Sequence, residues 1–418
     1  MKNRRRVHNT TVVIFAILLS VFFLTECIDK TETKKEAKRK VTAGDFAGSA
    51  SCMNCHKKIY DSHVLTPHYN TTRPALEKNI MGNFEQGKNL FNYDSGMAVK
   101  MEKRNGGFYQ VGYYFGVEKI AQRFDIVVGS GAKGQTYIYR DDNYLVQLPV
   151  SYFTAARQWA NSPQYPTYPV LFNRPITSRC LECHTTYASK ISSPKSQFEQ
   201  FDSTSFIYGV DCEKCHGPAA NHVAFQTQNP KETKAKYITN PANFTRSQKL
   251  DLCGLCHGGP IQKTKPSFSF TTGDRLEDYF KIDTAVVSPD SIDVHGNQYG
   301  LLRNSKCFRM SNTMTCITCH NSHENERGEL ELFSQRCMTC HNTDHGPICK
   351  LTSSMGSEIN NNCINCHMPR SQSKFITELV KGDKKPTAAM IRSHYITIYP
   401  KETKAFIDNL GKQPKSKP

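Results

Sequence analysis

Seven copies of the pentapeptide Cys-x-x-Cys-His use 14 of the 17 cysteines in this sequence of 418 residues. Two thiols separated by two residues can form thioether bonds to the two vinyl groups of one porphyrin. The histidine that follows is then held under the ring, where its imidazole can bind the iron. The pattern predicts seven covalently bound haem c groups, attached in chain order through Cys52 and Cys55, Cys180 and Cys183, Cys212 and Cys215, Cys253 and Cys256, Cys316 and Cys319, Cys337 and Cys340, and Cys363 and Cys366.

The histidine that ends each pentapeptide is the predicted proximal iron ligand. For motifs 1 to 7, numbered along the chain, these ligands are His56, His184, His216, His257, His320, His341 and His367. Zinc sites pair one Cys-x-x-Cys with a second pair or with separated histidines, and neither arrangement needs a histidine directly after every second cysteine. A thioredoxin-like dithiol gives no reason for seven copies. Covalent haem therefore explains the repeats better than either alternative.

Seven other histidines are candidates for the second axial ligand of the seven irons. They are His63, His68, His222, His295, His323, His345 and His394. Because His323 and His345 follow a motif histidine by only three or four residues, each is expected to ligate a neighbouring haem rather than its own. Methionine is the alternative axial ligand and would raise the reduction potential. The methionines near motifs are Met53, Met310, Met314, Met338 and Met368.

The formal net charge of +17 is at first sight that of a nucleic-acid-binding protein. Part of this charge belongs to the N-terminal segment, through Lys2, Arg4, Arg5 and Arg6. Seven haems would also add two propionates each, about −14 in total, which largely balances the cations. No nucleic-acid partner is therefore expected, and the cations suit contacts with propionates and with redox proteins.

Residues 1–27 have the composition of an export signal. A basic start precedes the mostly apolar run Thr10 to Thr25, which is short for a membrane span and suits a signal-peptide core. Cys27 offers a lipidation site, so a lipid anchor is one alternative and an uncleaved membrane anchor is another. Residues 28–48 are expected to form a flexible tether. This order predicts an exported protein of the periplasm or cell envelope.

The remaining chain divides by the spacing of the motifs. Residues 49–75 carry motif 1, residues 76–175 contain no cysteine, residues 176–370 carry motifs 2 to 7, and residues 371–418 form a basic segment without a motif. The cysteine-free section contains strand-like runs separated by turn signals: Phe108 to Phe115, Phe124 to Val128, Thr136 to Arg140 and Tyr144 to Leu148. These runs predict a small antiparallel β module.

Few residues are available to build a core around so many haems. About 56 residues per haem are too few for a large core of side chains, so the porphyrins must form much of it. We expect a mostly α fold with little regular structure, packed around covalent haems and interrupted by the inserted β module. Folding of such a chain should depend on haem attachment.

Several segments resemble the cytochrome c-554-type (c-552/4) family of multihaem c-type cytochromes. They are Gly48 to Ala75 around motif 1, Gln147 to Tyr152, Val210 to Val223 with its Gly-Pro and following histidine, and Cys363 to Arg370 together with His394. The resemblance implies a larger, seven-haem member with a β insertion, whose irons have two histidine ligands. By position it implies distal roles for His68, His222 and His394.

Electron transfer is the expected function, since enough histidines are present to give every iron two ligands. The partners would be a quinol-linked membrane donor and a terminal reductase or another cytochrome. The alternative is an oxidoreductase with one open haem for a small nitrogen or sulfur compound, as the resemblance implies for some relatives. No motif has the Cys-x-x-Cys-Lys form found in related nitrite reductases, which argues against that activity. A structural part in a respiratory complex is a third hypothesis.

Two cysteines in the part of the chain that carries the motifs, Cys307 and Cys349, do not belong to any motif. In an exported protein two leftover thiols favour a disulfide, which here would close a loop around motifs 5 and 6. Free thiols and a sulfur ligand to iron are the alternatives.

Overall fold

The computed structural model describes residues 40–193, 195–259, 261–282, 297–345, 348–380 and 386–410, without the side chains at 374–376 and 378. The predicted signal segment 1–27, with Cys27, lies outside these ranges, as do residues 28–39 of the tether and the candidate ligand His295. Within the described ranges, no helix is both long enough and apolar enough to cross a membrane.

Two antiparallel sheets occupy most of residues 72–175. The first contains β2 (Leu90–Asn92), β3 (Met97–Arg104), β4 (Gly107–Tyr114) and β5 (Val117–Arg123), paired in that order. The second pairs β1 (Thr72–Pro74), β6 (Ile126–Val128), β7 (Gly134–Asp141), β8 (Tyr144–Gln147) and β11 (Arg174–Pro175) in sequence, with β9 (Val150–Phe153) on β7 and β10 (Gln158–Asn161) on β9. Each strand-like run found in the sequence of this section is present as a strand.

The turn between β3 and β4 is built by Asn105 and Gly106, whose φ angles are 47° and 72°. Positive φ at both central residues gives the twist that a two-residue hairpin needs, and Asn-Gly adopts it at low cost. The resulting register pairs Arg104 with Gly107 and Met97 with Tyr114. This turn therefore fixes the alignment of two of the longest strands of the first sheet.

Aromatic side chains fill the core beside these sheets. Phe124 stacks on Tyr137 with ring centroids 4.3 Å apart, and the buried Trp159 donates its indole N–H to the carbonyl of Asn83 at 2.8 Å. The Trp159 ring packs so closely on Gly82 that a Cβ there would lie 2.0 Å from it. Burial of one large apolar side chain contributes about 1.5–3 kcal/mol to the stability of the fold. All side chains of this core come from residues 72–175.

Short helices carry most of the motifs. The helices are α1 (Ser49–His63), α2 (Ser178–His184), α3 (Cys212–His216), α4 (Ala220–Gln228), α5 (Arg246–His257), α6 (Gln298–Arg303), α7 (Lys306–Met310), α8 (Leu330–Met338), α9 (Thr352–Met355), α10 (Cys363–His367) and α11 (Pro400–Leu410). Because a helical turn places residues i and i+3 on one face, it brings both cysteines of a motif to the same side. Motif 5 makes this turn as a 3-10 helix, Cys316–Thr318.

The expectation of a mostly α fold with little regular structure is wrong. The described residues are about 33% helical and about 24% strand, in several sheets. Small antiparallel pairs between the motifs join β12 (Thr185–Tyr187) to β15 (Ile207–Tyr208), β13 (Lys190–Ile191) to β14 (Gln200–Phe201), and β16 (Ile261–Lys263) to β17 (Phe280–Ile282), and a pair after motif 7 joins β18 (Arg370–Glu378) to β19 (Thr387–Arg392). Most of these strands have two or three residues, too few to show the alternation by which a strand is detected in sequence.

Candidate haem-binding site

Three motif histidines each face one of the other histidines across a short gap. The ring centroids are 6.1 Å apart for His216 and His323, 6.1 Å for His257 and His68, and 6.2 Å for His320 and His394. Metal–nitrogen bonds to imidazole are about 2 Å long and the ring centre lies about 1 Å behind the nitrogen, so two imidazoles on one metal have centroids about 6 Å apart. The three gaps therefore fit an iron with two histidine ligands.

Acceptors at Nδ1 hold several of these rings and leave Nε2 for a metal. The Nδ1 atom of His216 lies 2.9 Å from Thr239 O, and that of His367 lies 2.9 Å from Thr397 O. The Nδ1 atom of His257 lies 3.4 Å from Gln298 Oε1. Histidines that bind metals commonly donate their other ring N–H to a carbonyl or carboxylate, which orients the ring and strengthens it as a ligand. The surroundings of the motif histidines therefore suit a haem iron.

Burial favours the neutral form of several facing rings. Desolvation is the main cause that lowers the pKa of His68 and of His394 to about 4, and neighbouring histidines add to it. Burial also lowers the pKa of His257, His320 and His323. A metal binds the neutral imidazole through its free lone pair, so these rings are in the ligating form at neutral pH.

The other candidate ligands occupy different surroundings. His222 is half-buried, and its Nδ1 lies 2.8 Å from Lys236 O, as in the motif histidines. His63 is buried, with Nε2 3.2 Å from Val210 O, while its Nδ1 has no hydrogen-bond partner among the described residues. His345 is exposed. The structure therefore gives His222 the orientation of a ligand and gives His345 no such support.

Cys307 and Cys349 are both free thiols in the structure, so the predicted disulfide between them is not formed. Burial raises the pKa of the Cys307 thiol. A raised pKa keeps a thiol protonated and unreactive at neutral pH.

Cysteines from different motifs lie against each other. Cys52 lies close enough to Cys212 to shift its pKa, and the same holds for Cys183 and Cys256, Cys253 and Cys316, and Cys337 and Cys363. These contacts make direct neighbours of motifs 1 and 3, motifs 2 and 4, motifs 4 and 5, and motifs 6 and 7.

Two further contacts connect these pairs of motifs. Arg336, directly before motif 6, donates from Nη1 to the carbonyl of Cys319 in motif 5 at 2.8 Å. The pKa of Cys253 in motif 4 is raised first by its contact with Cys316 and then by burial. Cys215 of motif 3 raises it further, so Cys215 also lies close to Cys253. The seven motifs thus form one connected series, 1-3-4-5-6-7, with motif 2 attached to motif 4.

Buried carboxylates brace the motifs, and sequence analysis did not find them. Glu213 of motif 3 accepts hydrogen bonds at 2.8 Å from the backbone N–H groups of Ala47, Gly48 and Ala219. Ala47 and Gly48 lie directly before α1, which carries motif 1, so Glu213 ties motif 3 to motif 1. Glu213 occupies a variable position of its pentapeptide, where no sequence signal marks a structural role.

Comparisons with known proteins find two similarities to cytochromes. Residues 164–217, which contain motifs 2 and 3, match the family model described as cytochrome c554 and c-prime. The fold is similar to that of a solved structure, the outer cell wall cytochrome OcwA, with a TM-score of 0.52 and 16% sequence identity over 86% of this chain and 81% of that chain. No curated protein matches the sequence significantly. One segment of the chain is therefore similar to a family of c-type cytochromes, and the fold is similar to that of a cytochrome.

Proposed function

We propose that this protein carries seven covalent haems and passes electrons along them. The observation that supports the proposal most is the connected series of motifs, in which motif 4 contacts motifs 2, 3 and 5. Haems attached at touching motifs would lie close to one another, and the protein's part in electron transfer is to hold redox centres in such an arrangement. The path would run from motif 1 to motif 7, with a branch at motif 4.

We also propose two histidine ligands for most of the irons. The facing pairs assign His323 to the iron of motif 3, His68 to that of motif 4 and His394 to that of motif 5. For motif 1 the distal ligand would be His222, because α4 packs against the 3-10 turn Ala43–Asp45 that precedes α1. Filled axial positions suit a carrier of electrons better than a catalyst, since no site is left for substrate.

The proposed place of action is the periplasm or cell envelope. The signal-like segment 1–27 and the fold shared with an outer cell wall cytochrome support this location. Lipidation of Cys27 would attach the protein to a membrane. The proposed partners are a quinol-linked membrane donor and a terminal reductase or another cytochrome, reached through the basic surface.

Haem content and electron capacity of the purified protein test the proposal. We expect seven haems per chain by the pyridine haemochrome assay and seven electrons per chain in a reductive titration, one for each motif. The reduced protein should be reoxidised by another cytochrome without consuming a small substrate. Steady turnover of nitrite, hydroxylamine or tetrathionate by the protein alone would instead support the oxidoreductase alternative.

A further inference from the structure

Cationic side chains from three separate parts of the chain converge beside motif 7. Arg370 in β18 and Arg392 in β19 are directly opposite each other in the register of that hairpin. Lys133, just before β7, donates from Nζ to the carbonyl of Met390 in β19 at 2.5 Å. Arg327, after motif 5, is close enough to Lys133 and Arg370 to interact with both electrostatically. Lys133, Arg327, Arg370 and Arg392 are called the cation cluster below.

The charges of the cation cluster are not balanced within the described residues. Burial is the main cause that lowers the pKa values of Lys133 and Arg327, and the positive charge of Arg370 adds to the lowering in both. No described carboxylate is among the groups that shift these two pKa values. Like charges placed opposite each other on a sheet are destabilising, so an anion at this point would relieve the repulsion.

The helix of motif 7 holds one member of the cluster in a fixed position. Arg392 donates from Nη1 to the carbonyl of Met368 at 3.0 Å and from Nη2 to Oδ1 of Asn365 at 2.9 Å. These neutral acceptors anchor the guanidinium without cancelling its charge. Arg370 is exposed, and Arg327 keeps part of its side chain in solvent although desolvation lowers its pKa, so the cluster can be reached from the solvent.

We propose that the cation cluster is a binding site for a carboxylate or a small oxyanion. Guanidinium groups bind both through paired N–H donors, and the planar fork of arginine favours them over other ligands. Two sources can supply this chemistry: a propionate of the haem on motif 7, or a free oxyanion from solution. Only the first source rests on the proposed haem attachment.

Two measurements on the haem-loaded protein distinguish the sources, with Arg327→Gln and Arg370→Gln compared with wild type. Arg309→Gln is the matched control, because Arg309 is exposed and outside the cluster. If the ligand is free, calorimetry with sulfate shows one site in wild type, at least tenfold weaker binding in both cluster variants, and no change in Arg309→Gln. Spectropotentiometry in sulfate-free buffer then gives the same potentials for all four proteins.

If the ligand is a propionate, sulfate does not bind and the reduction potential of one haem falls in both cluster variants. It falls because loss of a cation destabilises the reduced haem, which carries one more electron. The inference is overturned if haem-loaded cluster variants behave like Arg309→Gln in both measurements. That result leaves the proposed function unchanged. A wild-type protein without seven haems would instead contradict the proposed function itself.

Discussion

Hydrogen bonds at Nδ1 determine where the histidine rings of this protein point. The acceptors on Thr239 and Thr397 lie 23 and 30 residues from His216 and His367 in sequence. A motif places its histidine near the haem, but the ring still rotates about its side-chain bonds until such an acceptor holds it. The motif histidines could be identified from sequence alone, whereas a backbone carbonyl acceptor has no residue type to mark it.

His323→Ala should open the iron of motif 3. The ring of His323 faces His216 at 6.1 Å, so its loss leaves that iron with one axial position free. We expect the ferrous variant to bind about one more CO per chain than the wild type, because CO needs an open position. CO titration followed by absorbance measures this. His345→Ala is the control and should bind no additional CO, and an unchanged His323→Ala titration would reject the assignment.

Gln298→Leu should raise the reduction potential of the haem on motif 4. Gln298 Oε1 accepts from His257 Nδ1 at 3.4 Å, and loss of this acceptor makes the imidazole a weaker donor to the oxidised iron. We expect an increase of up to about 60 mV, which corresponds to a tenfold change in relative ligand affinity. Spectropotentiometry checks it against Gln262→Leu, an exposed glutamine. A fall in the reduction potential would show that the contact with Gln298 does not strengthen His257 as a ligand of the oxidised iron.

At the scale of elements, an ion pair joins the short helix α8 to the turn that follows motif 5. Glu326 accepts two hydrogen bonds from Arg336 of α8, at 2.8 Å from Nη1 and 2.5 Å from Nη2. The same carboxylate accepts the backbone N–H of Asn321, just after motif 5, at 3.0 Å. Helices of one or two turns do not form alone in water, so these contacts help to place motifs 5 and 6.

Glu326→Gln should lower the free energy of unfolding by about 2–3 kcal/mol at pH 7, because it leaves the partly buried Arg336 without its anion. The Arg336 guanidinium holds the pKa of Glu326 below its ordinary value. A carboxylate with a depressed pKa stabilises the fold fully above its unfolded pKa of about 4.3 and loses that contribution as the pH falls through its folded pKa. The difference between wild type and variant should therefore shrink in acid.

Denaturant unfolding between about pH 3 and pH 7 measures this difference. Glu331→Gln is the control, because Glu331 is exposed on α8, the helix that carries Arg336. We expect its free energy of unfolding to change by no more than about 0.5 kcal/mol. A loss in Glu326→Gln that is constant over the whole range would mean that the charge of Glu326 contributes nothing.

Local patterns predicted some elements of this fold and missed others. The strands β4 and β7 follow from runs rich in aromatic and β-branched residues with turn residues on either side. The pairing of His68 with His257 does not follow from any local pattern, because 189 residues separate them and only the folded chain brings them together. The short pairs such as β13 and β14 were missed for lack of length, which is why the helical content was overestimated.

At the scale of the whole molecule, two kinds of core are combined. The aromatic core near Phe124, Tyr137 and Trp159 lies beside the sheets of residues 72–175 and contains no motif residue. The motif segments have short helices and smaller apolar clusters, such as Leu255 with Leu276 and Phe280, and we expect haem to fill the remaining space between them. The two parts should therefore respond differently when haem attachment is prevented.

The full chain produced without haem attachment should retain structure only in its β-rich section. We expect limited trypsin digestion to cut the motif segments first and to leave a resistant fragment that contains residues 72–175, because that section holds the largest cluster of buried apolar side chains among the described residues. Mass spectrometry of the fragments identifies the boundaries. Cleavage at Lys103 or Arg104 in β3 as fast as at Lys214 in motif 3 would contradict this account.

Low-temperature electron paramagnetic resonance of the oxidised, purified protein, with haem content measured on the same sample, tests the central claim most directly. The claim is that this cytochrome carries electrons through haems with two histidine ligands. It predicts seven haems per chain, most of them low-spin, and no iron whose signal changes when nitrite or hydroxylamine is added. A high-spin iron that shifts when nitrite or hydroxylamine is added would contradict the claim and identify an open, substrate-binding haem.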